Sequence, residues 1–308
     1  MNTHKTTLAS NGFWYKGNTH THTTLSDGAW SPERTAAHYQ DNGYSFLFLS
    51  DHNIFQTHQQ LSTPEFLLIP AIERDVNVSD EIMNCYHIVG GLQSASTQTY
   101  SNGATFTEPS WKNLSTTQSI LDDLSAHGFA TILAHPVWSR NEIEEILQLQ
   151  GLLGIEIYNN VCEYEWNNGQ SLLYWDLLWK RGIRLWGFAS DDSHNPKLHA
   201  AGGWIVVKAP VLTQSSIMDA LRSGSFYSST GPQLFDFYVE DNIVYVKCSD
   251  AISINFMTYD NLGKSFHAPV GELLTQAQHT LSGQEKFVRV EICDINGKKA
   301  WSNPIWLK

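Results

Sequence analysis

The sequence predicts an α/β fold, a β/α barrel followed by a small β-rich domain, and three observations carry that expectation. Short apolar runs alternate with helix-like segments through about residue 210. Histidines and carboxylates fall in clusters at or just after the carboxyl ends of the expected strands, where a β/α barrel builds its sites. After Gly231-Pro232 the alternation gives way to short stretches of period two, separated by Asp, Asn and Gly turns. The boundary is therefore placed there, with residues 1–231 as the barrel and 232–308 as a sandwich-like β domain.

The first strand is expected over 15–22 and carries His20 and His22, two residues apart, so extended backbone projects both imidazoles from one face. Ser31-Pro32-Glu33 then supplies an N-cap, a proline suited to the first helical position and an acid in the first turn, and Gly43 stops that helix. A buried strand over 45–50 delivers His52, an apolar run over 66–72 ends at Glu73, and the run 86–91 contains His87. A helix over 117–127 stops at Gly128, after which 129–134 leads into His135-Pro136. A strand over 154–158, a helix over 169–181 ended by Gly182 and a strand over 184–189 then deliver Asp192 and His194. One more strand over 201–208 and a helix over 213–223 complete the α/β part, and β stretches at 236–247, 253–259 and 287–292 follow.

Composition narrows the function classes. With 42% hydrophobic residues, 16% charged residues and eleven tryptophans, the chain is too apolar and too aromatic for disorder. A formal net charge of −12 argues against duplex nucleic acid as a routine partner, because phosphate backbones are held by clustered lysine and arginine. The four cysteines (Cys85, Cys162, Cys248, Cys293) form no C-x-x-C pair and read as reduced thiols. The first twelve residues lack the apolar stretch of a signal peptide and no run reaches membrane-spanning length. A cytoplasmic protein without a membrane partner is expected; oligomeric state leaves no sequence signal.

The chemistry lies in the clusters: His20-Thr21-His22, Ser26-Asp27-Gly28, Ser50-Asp51-His52-Asn53, Glu73, His87, His135-Pro136 and Ser190-Asp191-Asp192-Ser193-His194. A lone histidine beside a strand is more often a hydrogen-bonded structural residue, and the joint pattern reverses those odds. His4, His38, His58, His127, His199, His267 and His279 lack such company and read as structural or surface residues. Mixed imidazole and carboxylate donors suit zinc, iron or manganese better than calcium or magnesium alone.

In this order the motifs resemble the PHP (polymerase and histidinol phosphatase) superfamily of metal-dependent phosphoesterases, over about residues 14–230. The resemblance implies a distorted seven-stranded β/α barrel holding two or three divalent ions. It implies that His20, His22, Glu73 and Asp192 bind one ion, that Glu73 bridges to a second completed by His87 and His135, and that Asp27, His52 and His194 hold a third. The family often has histidine where this chain has Asp27, which implies a third position that is either weaker or selective for a harder ion. The D-x-H spacing selects Asp192 over Asp191, and Asp191 and Asp51 are expected to orient imidazoles.

The implied activity is that of a hydrolase of the phosphoesterase class (EC 3.1). Ions about 3.5–4 Å apart lower the pKa of a bridging water, so that hydroxide held by Glu73, Asp192 and His194 attacks a small-molecule phosphate ester, nucleotide-like or otherwise. Arg140, in the loop after His135-Pro136, is the candidate for the substrate phosphate, ahead of Arg74, which alternation turns to the other side of its strand. Trp30, Trp138, Tyr158 and Trp166 lie near the expected rim, where such aromatics divide between core and substrate contact. The closing segment 188–195 with Gly202-Gly203-Trp204 is similar to a PHP branch of carbamate- and amide-hydrolysing enzymes, so acyl hydrolysis on the same ions is the principal alternative. A metal-stabilised, non-catalytic module that binds a glycan or protein through 232–308 is a third.

Overall fold

Phe46-Leu47-Phe48-Leu49 has no polar side chain, and the strand it forms is buried along its whole length. Such a run needs cover on both faces, as strands of parallel sheets have. In the computed structural model, which describes residues 4–76, 85–94, 99–258 and 262–308, this run lies within a row of seven strands. They are β1 (Phe13–Asn18), β2 (Phe46–Leu49), β3 (Leu67–Val76), β4 (Tyr86–Leu92), β5 (Phe129–Leu133), β6 (Leu152–Asn159) and β7 (Trp186–Ser190). They stand in the sheet in chain order, each beside its sequence neighbour. Neighbouring strands run parallel, except that β4 is antiparallel to both β3 and β5.

The covering helices start where the sequence says they should. In α1 (Pro32–Asp41) the Ser31 hydroxyl accepts from the Arg34 N–H at 3.4 Å, and Ala36 and Tyr39 pack with Leu47 and Leu49 of β2. In α2 (Leu114–Ala126) the Asn113 side chain caps the first turn while Ile120, Leu121 and Leu124 are buried beside β4 and β5. Two short helices follow, α3 (Ile143–Ile146) and α4 (Asn160–Trp166), and then α5 (Leu172–Lys180), whose Trp175 indole donates to Leu185 O at 2.7 Å. A further short helix, α6 (Pro196–His199), follows β7. Neither α4 nor the strand Phe226–Ser229 is among the elements expected from the sequence.

A regular parallel β/α barrel is not what forms. The reversed β4 pairs antiparallel on both sides, which no strand of a parallel β/α barrel does. Among the described residues no continuous ladder joins β7 to β1; they meet only beyond their ends, at the bridge between Thr21 and Ser193. There His22 N donates to Ser193 O at 3.0 Å and Asp192 N to His20 O at 2.9 Å. β1 and β7 therefore meet only where the HxH and DxH motifs touch.

From β1 the sheet continues outward through β8 (Trp204–Ala209) and, after α7 (Gln214–Ser223), through β9 (Phe226–Ser229). The segment expected as one stretch over 236–247 is a hairpin of β10 (Leu234–Glu240) and β11 (Ile243–Ala251). Asp241 and Asn242 turn it with φ of 47° and 67°, the left-handed pair that a two-residue hairpin needs. The longer strands that follow are β12 (Ser253–Thr258), β13 (Lys264–His267), β14 (Leu274–Thr280), β15 (Phe287–Cys293) and β16 (Lys299–Ser302). β16, β15, β12 and β13 extend the large sheet beyond β9, whereas β10, β11 and β14, with the short N-terminal strand His4–Lys5 paired to β10, form a second sheet. Val239, Val244 and Val246 of the second meet Phe256, Val290 and Ile292 of the first in one apolar cluster, a sandwich packing. The C-terminal strands also reach back: Phe287 and Trp301 share a cluster with Trp179, and the buried Arg289 guanidinium grips Asp176 of α5 at 2.9 Å.

Candidate metal centre

Five forward-running strands and the start of the reversed β4 bring side chains to one place. His20 and His22 follow β1, His52 follows β2, Glu73 lies within β3, His135 follows β5, and Asp192 and His194 follow β7. His87 is the second residue of β4 and would sit at the wrong end of a parallel strand. Because β4 runs backwards, it faces Asp75 across the ladder, two residues past Glu73, and its ring reaches Glu73 Oε1 at 3.1 Å.

Glu73 is the hub. Its Oε2 lies 3.1 Å from His20 Nε2, 3.2 Å from His22 Nε2 and 3.1 Å from His52 Nδ1; its Oε1 lies 3.7 Å from His135 Nε2. Asp192 Oδ1 is 3.2 Å from His20 Nε2, 3.0 Å from His22 Nε2 and 3.7 Å from His194 Nδ1. Asp27 approaches from its loop, 3.3 Å from His194 Nε2 and 3.6 Å from both His52 Nε2 and His22 Nδ1. All nine sequence-assigned ligands are thus brought together. They form four overlapping donor sets: His22, Asp27, His52 and His194; His52, Glu73, Asp75 and His87; His20, His22 and Glu73; and His20, His135 and Asp192.

The residues fit divalent cations. Among the described residues, His20 Nε2, His22 Nδ1 and Glu73 Oε2 are buried without a hydrogen bond, although His20 Nε2 and Glu73 Oε2 are only 3.1 Å apart. Donors that are close but misaligned with each other point at a common centre, and leaving such atoms unpaired is costly otherwise. The outer nitrogens are spoken for. His20 Nδ1 meets Glu156 Oε1 at 2.8 Å, His52 Nδ1 meets Asp75 Oδ2 at 2.9 Å, His135 Nδ1 meets Ser139 Oγ at 3.0 Å and His194 Nδ1 meets the Asp192 carbonyl at 2.9 Å. For His20, His135 and His194 the contact leaves Nε2 facing carboxylates of the cluster, as ligating histidines are held, whereas His52 turns Nδ1 to Glu73 as well and Nε2 to Asp27.

Charge is stored in the cluster. Burial works against every charged form here, yet the opposite charges prevail: His20 is held well above the usual imidazole range by Asp192, Glu73 and Glu156. Burial likewise opposes the charge on Glu73 and Asp192, but facing histidines, His20 foremost, hold both well below the usual carboxylate range. His194, lowered by burial but bonded to Asp27, is raised to about 9. His135 and Asp192 have φ of 27° and 51°, left-handed backbone that is costly for non-glycine residues and is found where a site imposes it.

Two carboxylates of this centre escape a sequence reading. Asp75 follows Glu73 by two residues, so strand alternation places it on the same face. Glu156 is the lone charge in Leu152–Asn159 and is 1% exposed, a pattern that signals a satisfied buried acid. It accepts from Ser190 Oγ, His135 N and Asn159 Nδ2 as well as meeting His20.

Asp51 and Asp191 do not orient imidazoles. Asp51 accepts from Thr23 N (2.7 Å), Thr23 Oγ1 (2.8 Å) and Ser26 Oγ (2.9 Å), holding the loop that carries Asp27. Asp191 accepts from the N–H groups of Ala201, Gly202 and Gly203 and from the Tyr39 hydroxyl; burial pushes it up to about 6. A Cβ at Gly203 would lie 2.8 Å from Ser190 O, which explains the glycine in that cradle.

The centre opens into a cavity of about 420 Å³ whose other lining residues are Trp138, Val161, Cys162, Glu165 and Trp166. Arg140 is not brought there: its Nη1 donates to the Val137 carbonyl at 2.6 Å on an exposed turn. Arg74 faces α2, bonding Asp123 Oδ2 at 3.1 Å. Of the four rim aromatics, Trp138 and Trp166 line the cavity, whereas Trp30 stacks under Arg34 at 3.8 Å and Tyr158 packs beside Trp301. His58 and His199 belong to none of the four donor sets.

No protein-family model matches the sequence, and no curated protein matches it. Among solved structures the chain is similar to a two-domain protein from Bacteroides vulgatus containing a predicted PHP-like metal-dependent phosphoesterase. Identity is 13%, with 93% of this chain and 92% of that chain covered and a TM-score of 0.48. It is also similar to an amidohydrolase from Chromobacterium violaceum, at 16% identity over 59% of this chain and 89% of that chain, with a TM-score of 0.42. No helix of the described residues is long and apolar enough to cross a membrane. By the order of its motifs and the convergence of their side chains, the chain resembles the PHP superfamily of metal-dependent phosphoesterases.

Proposed function

We propose that the chain is a metal-dependent hydrolase whose preferred substrates are small phosphate esters, with residues 1–231 building the centre and 232–308 a sandwich-like domain beside it. The observation that carries this reading is a set of buried, unbonded atoms beneath an open cavity: His20 Nε2 faces Glu73 Oε2 at 3.1 Å, and His22 Nδ1 turns to Asp27 Oδ1 at 3.6 Å. Zinc, iron or manganese held there would supply Lewis acidity and activate water for attack on a phosphoryl group.

His20, His22, Glu73 and Asp192 would hold one ion, Glu73, His87 and His135 a second, and Asp27, His52 and His194 a third. Asp75 and Glu156 keep the rings in the tautomer that offers Nε2 to the centre. Glu73 presents its two oxygens to different histidines, Oε2 to His20 and His22 and Oε1 to His87 and His135, and so ties two positions together. A phosphate contact by Arg140 would require its guanidinium to leave the Val137 carbonyl. Cys162 supplies no nucleophile, since burial drives its thiol far above the ordinary range.

Carbamate or amide hydrolysis is the second reading, favoured by one observation: among the described residues the cavity lining contains no lysine or arginine to share a phosphate's charge. The two separate in a panel of phosphate monoesters, phosphodiesters and aryl carbamates offered to protein loaded with zinc, manganese or iron. Turnover of phosphate esters is expected; turnover confined to carbamates overturns the phosphoesterase reading.

A further inference from the structure

The wall of the cavity has a chemistry distinct from its metal-ligating base. Trp138 stands edge-on to two ligand rings, 5.0 Å from His135 and 6.1 Å from His87 between centroids, so an ester bound at the centre projects its leaving group beside this indole. Trp166, on α4 and 53% exposed, tilts against Trp138 with centroids 5.8 Å apart and planes at 57°. A ring sandwiched between two others needs about two stacking separations of roughly 3.5 Å each between parallel planes. The indoles are too close and too tilted for that, so they form one bent aromatic wall on which a single ring can lie.

Charge on the same wall has one sign. Apart from the metal-ligating residues, the only charged group lining the cavity among the described residues is Glu165, whose Oε1 meets His199 Nε2 at 3.2 Å. Cys162 contributes a neutral thiol and Val161 an aliphatic surface. A leaving group bearing a carboxylate or a second phosphate would meet Glu165 without a compensating cation, in a partly enclosed space where such repulsion is poorly screened.

We infer that the organic part of the substrate is a single aromatic ring carrying no negative charge, seated on Trp138 and Trp166, with Glu165 excluding anionic rings. This rests on the phosphoesterase reading above and names the class of ester it takes. About 420 Å³ suits an ester of one ring system better than an extended polyanion.

The test is equilibrium binding to the zinc-loaded full chain, by calorimetry, of phenylphosphonate, ethylphosphonate and 4-carboxyphenylphosphonate. Phenylphosphonate is expected to bind about tenfold tighter than either of the others, the scale of one aromatic stacking contact. Trp138→Ala and Trp166→Ala should each shrink the phenyl-over-ethyl ratio, and Glu165→Gln should bring the carboxyphenyl compound to the level of phenylphosphonate. Trp166 is exposed, so its variant keeps the test open if Trp138→Ala fails to fold. Equal binding of phenyl- and ethylphosphonate, or an undiminished ratio in the tryptophan variants, overturns the inference while leaving the phosphoesterase reading in place. If no phosphonate binds and no phosphate ester is hydrolysed, the phosphoesterase reading falls and this inference with it.

Discussion

Glu156 Oε1 lies 2.8 Å from His20 Nδ1, and the other oxygen of the same carboxylate takes the backbone N–H of His135 at 2.9 Å. One buried acid thus fixes the ring of a candidate ligand that follows β1 and the backbone of another that follows β5. Glu156→Gln should weaken metal retention by about 10–100-fold, the usual cost of losing such a partner. Chelator competition followed by elemental analysis measures it, and retention equal to the parent protein would remove Glu156 from this role.

Asp75 makes the corresponding contact to His52, at 2.9 Å, and is steadied by Asn53 Nδ2 at 2.9 Å. His52 serves the outer donor set with Asp27 and His194, so Asp75→Asn should lower the number of ions bound while sparing those held by His20 and His22. Metal counts per chain decide it: a uniform fall across all positions would show that Asp75 stabilises the site as a whole.

Metal uptake should release protons. His20, His22, His52 and His87 are all raised in the absence of an ion: burial opposes their charge and facing carboxylates more than offset it. A protonated imidazole cannot ligate, so apparent affinity should climb with pH, by about tenfold per unit for each proton displaced. For the His194 position the climb extends to about 9. In the metal-free protein the His194–Asp27 pairing contributes stability that is full below the unfolded value of about 6.5 and fades as pH rises through about 9. Titration at pH 6 and pH 8 in buffers of different ionisation enthalpy measures the release; affinity flat with pH would contradict it.

Asp191→Ala would strip the acceptor from three consecutive backbone N–H groups, those of Ala201, Gly202 and Gly203, and from the Tyr39 hydroxyl. Unsatisfied buried donors cost about 1–3 kcal/mol each, and solvent entry offsets part of it. A loss of about 3 kcal/mol or more is expected in denaturant unfolding of the metal-free protein; a loss below about 1 kcal/mol would mean that the loop relaxes freely.

How much of this centre is legible in the sequence follows from what places each residue. The HxH, DH, HP and DxH motifs are local: strand alternation and strand ends fix their directions, so the nine candidate residues that the fold brings together can be named from the amino-acid sequence alone. Glu156 and Asp75 act at a distance on rings that other strands supply, and no local rule pairs Glu156 with His20, 136 residues away. The reversal of β4 is equally non-local, since the apolar run holding His87 fits either direction. The hairpin at Asp241-Asn242 is marked by turn residues within an alternating stretch, but alternation alone does not divide one strand from two. Arg140 illustrates the opposite error of proximity: a few residues from His135 in sequence, it turns outward at a left-handed φ of 60° to cap its own loop.

The pairing of β9 with β16, three rungs from Tyr227↔Ser302 to Ser229↔Ala300, has a consequence for how the molecule comes apart. Cut at residue 231, the chain would leave β9 as a bare edge and deprive Asp176 of Arg289, a template for intermolecular pairing rather than a tidy fragment. The sandwich is in this sense the seal on the sheet that carries the candidate centre. Heat should melt metal centre and C-terminal strands in one cooperative step, and the modularity suggested by the change of pattern after Gly231-Pro232 would be architectural without being thermodynamic.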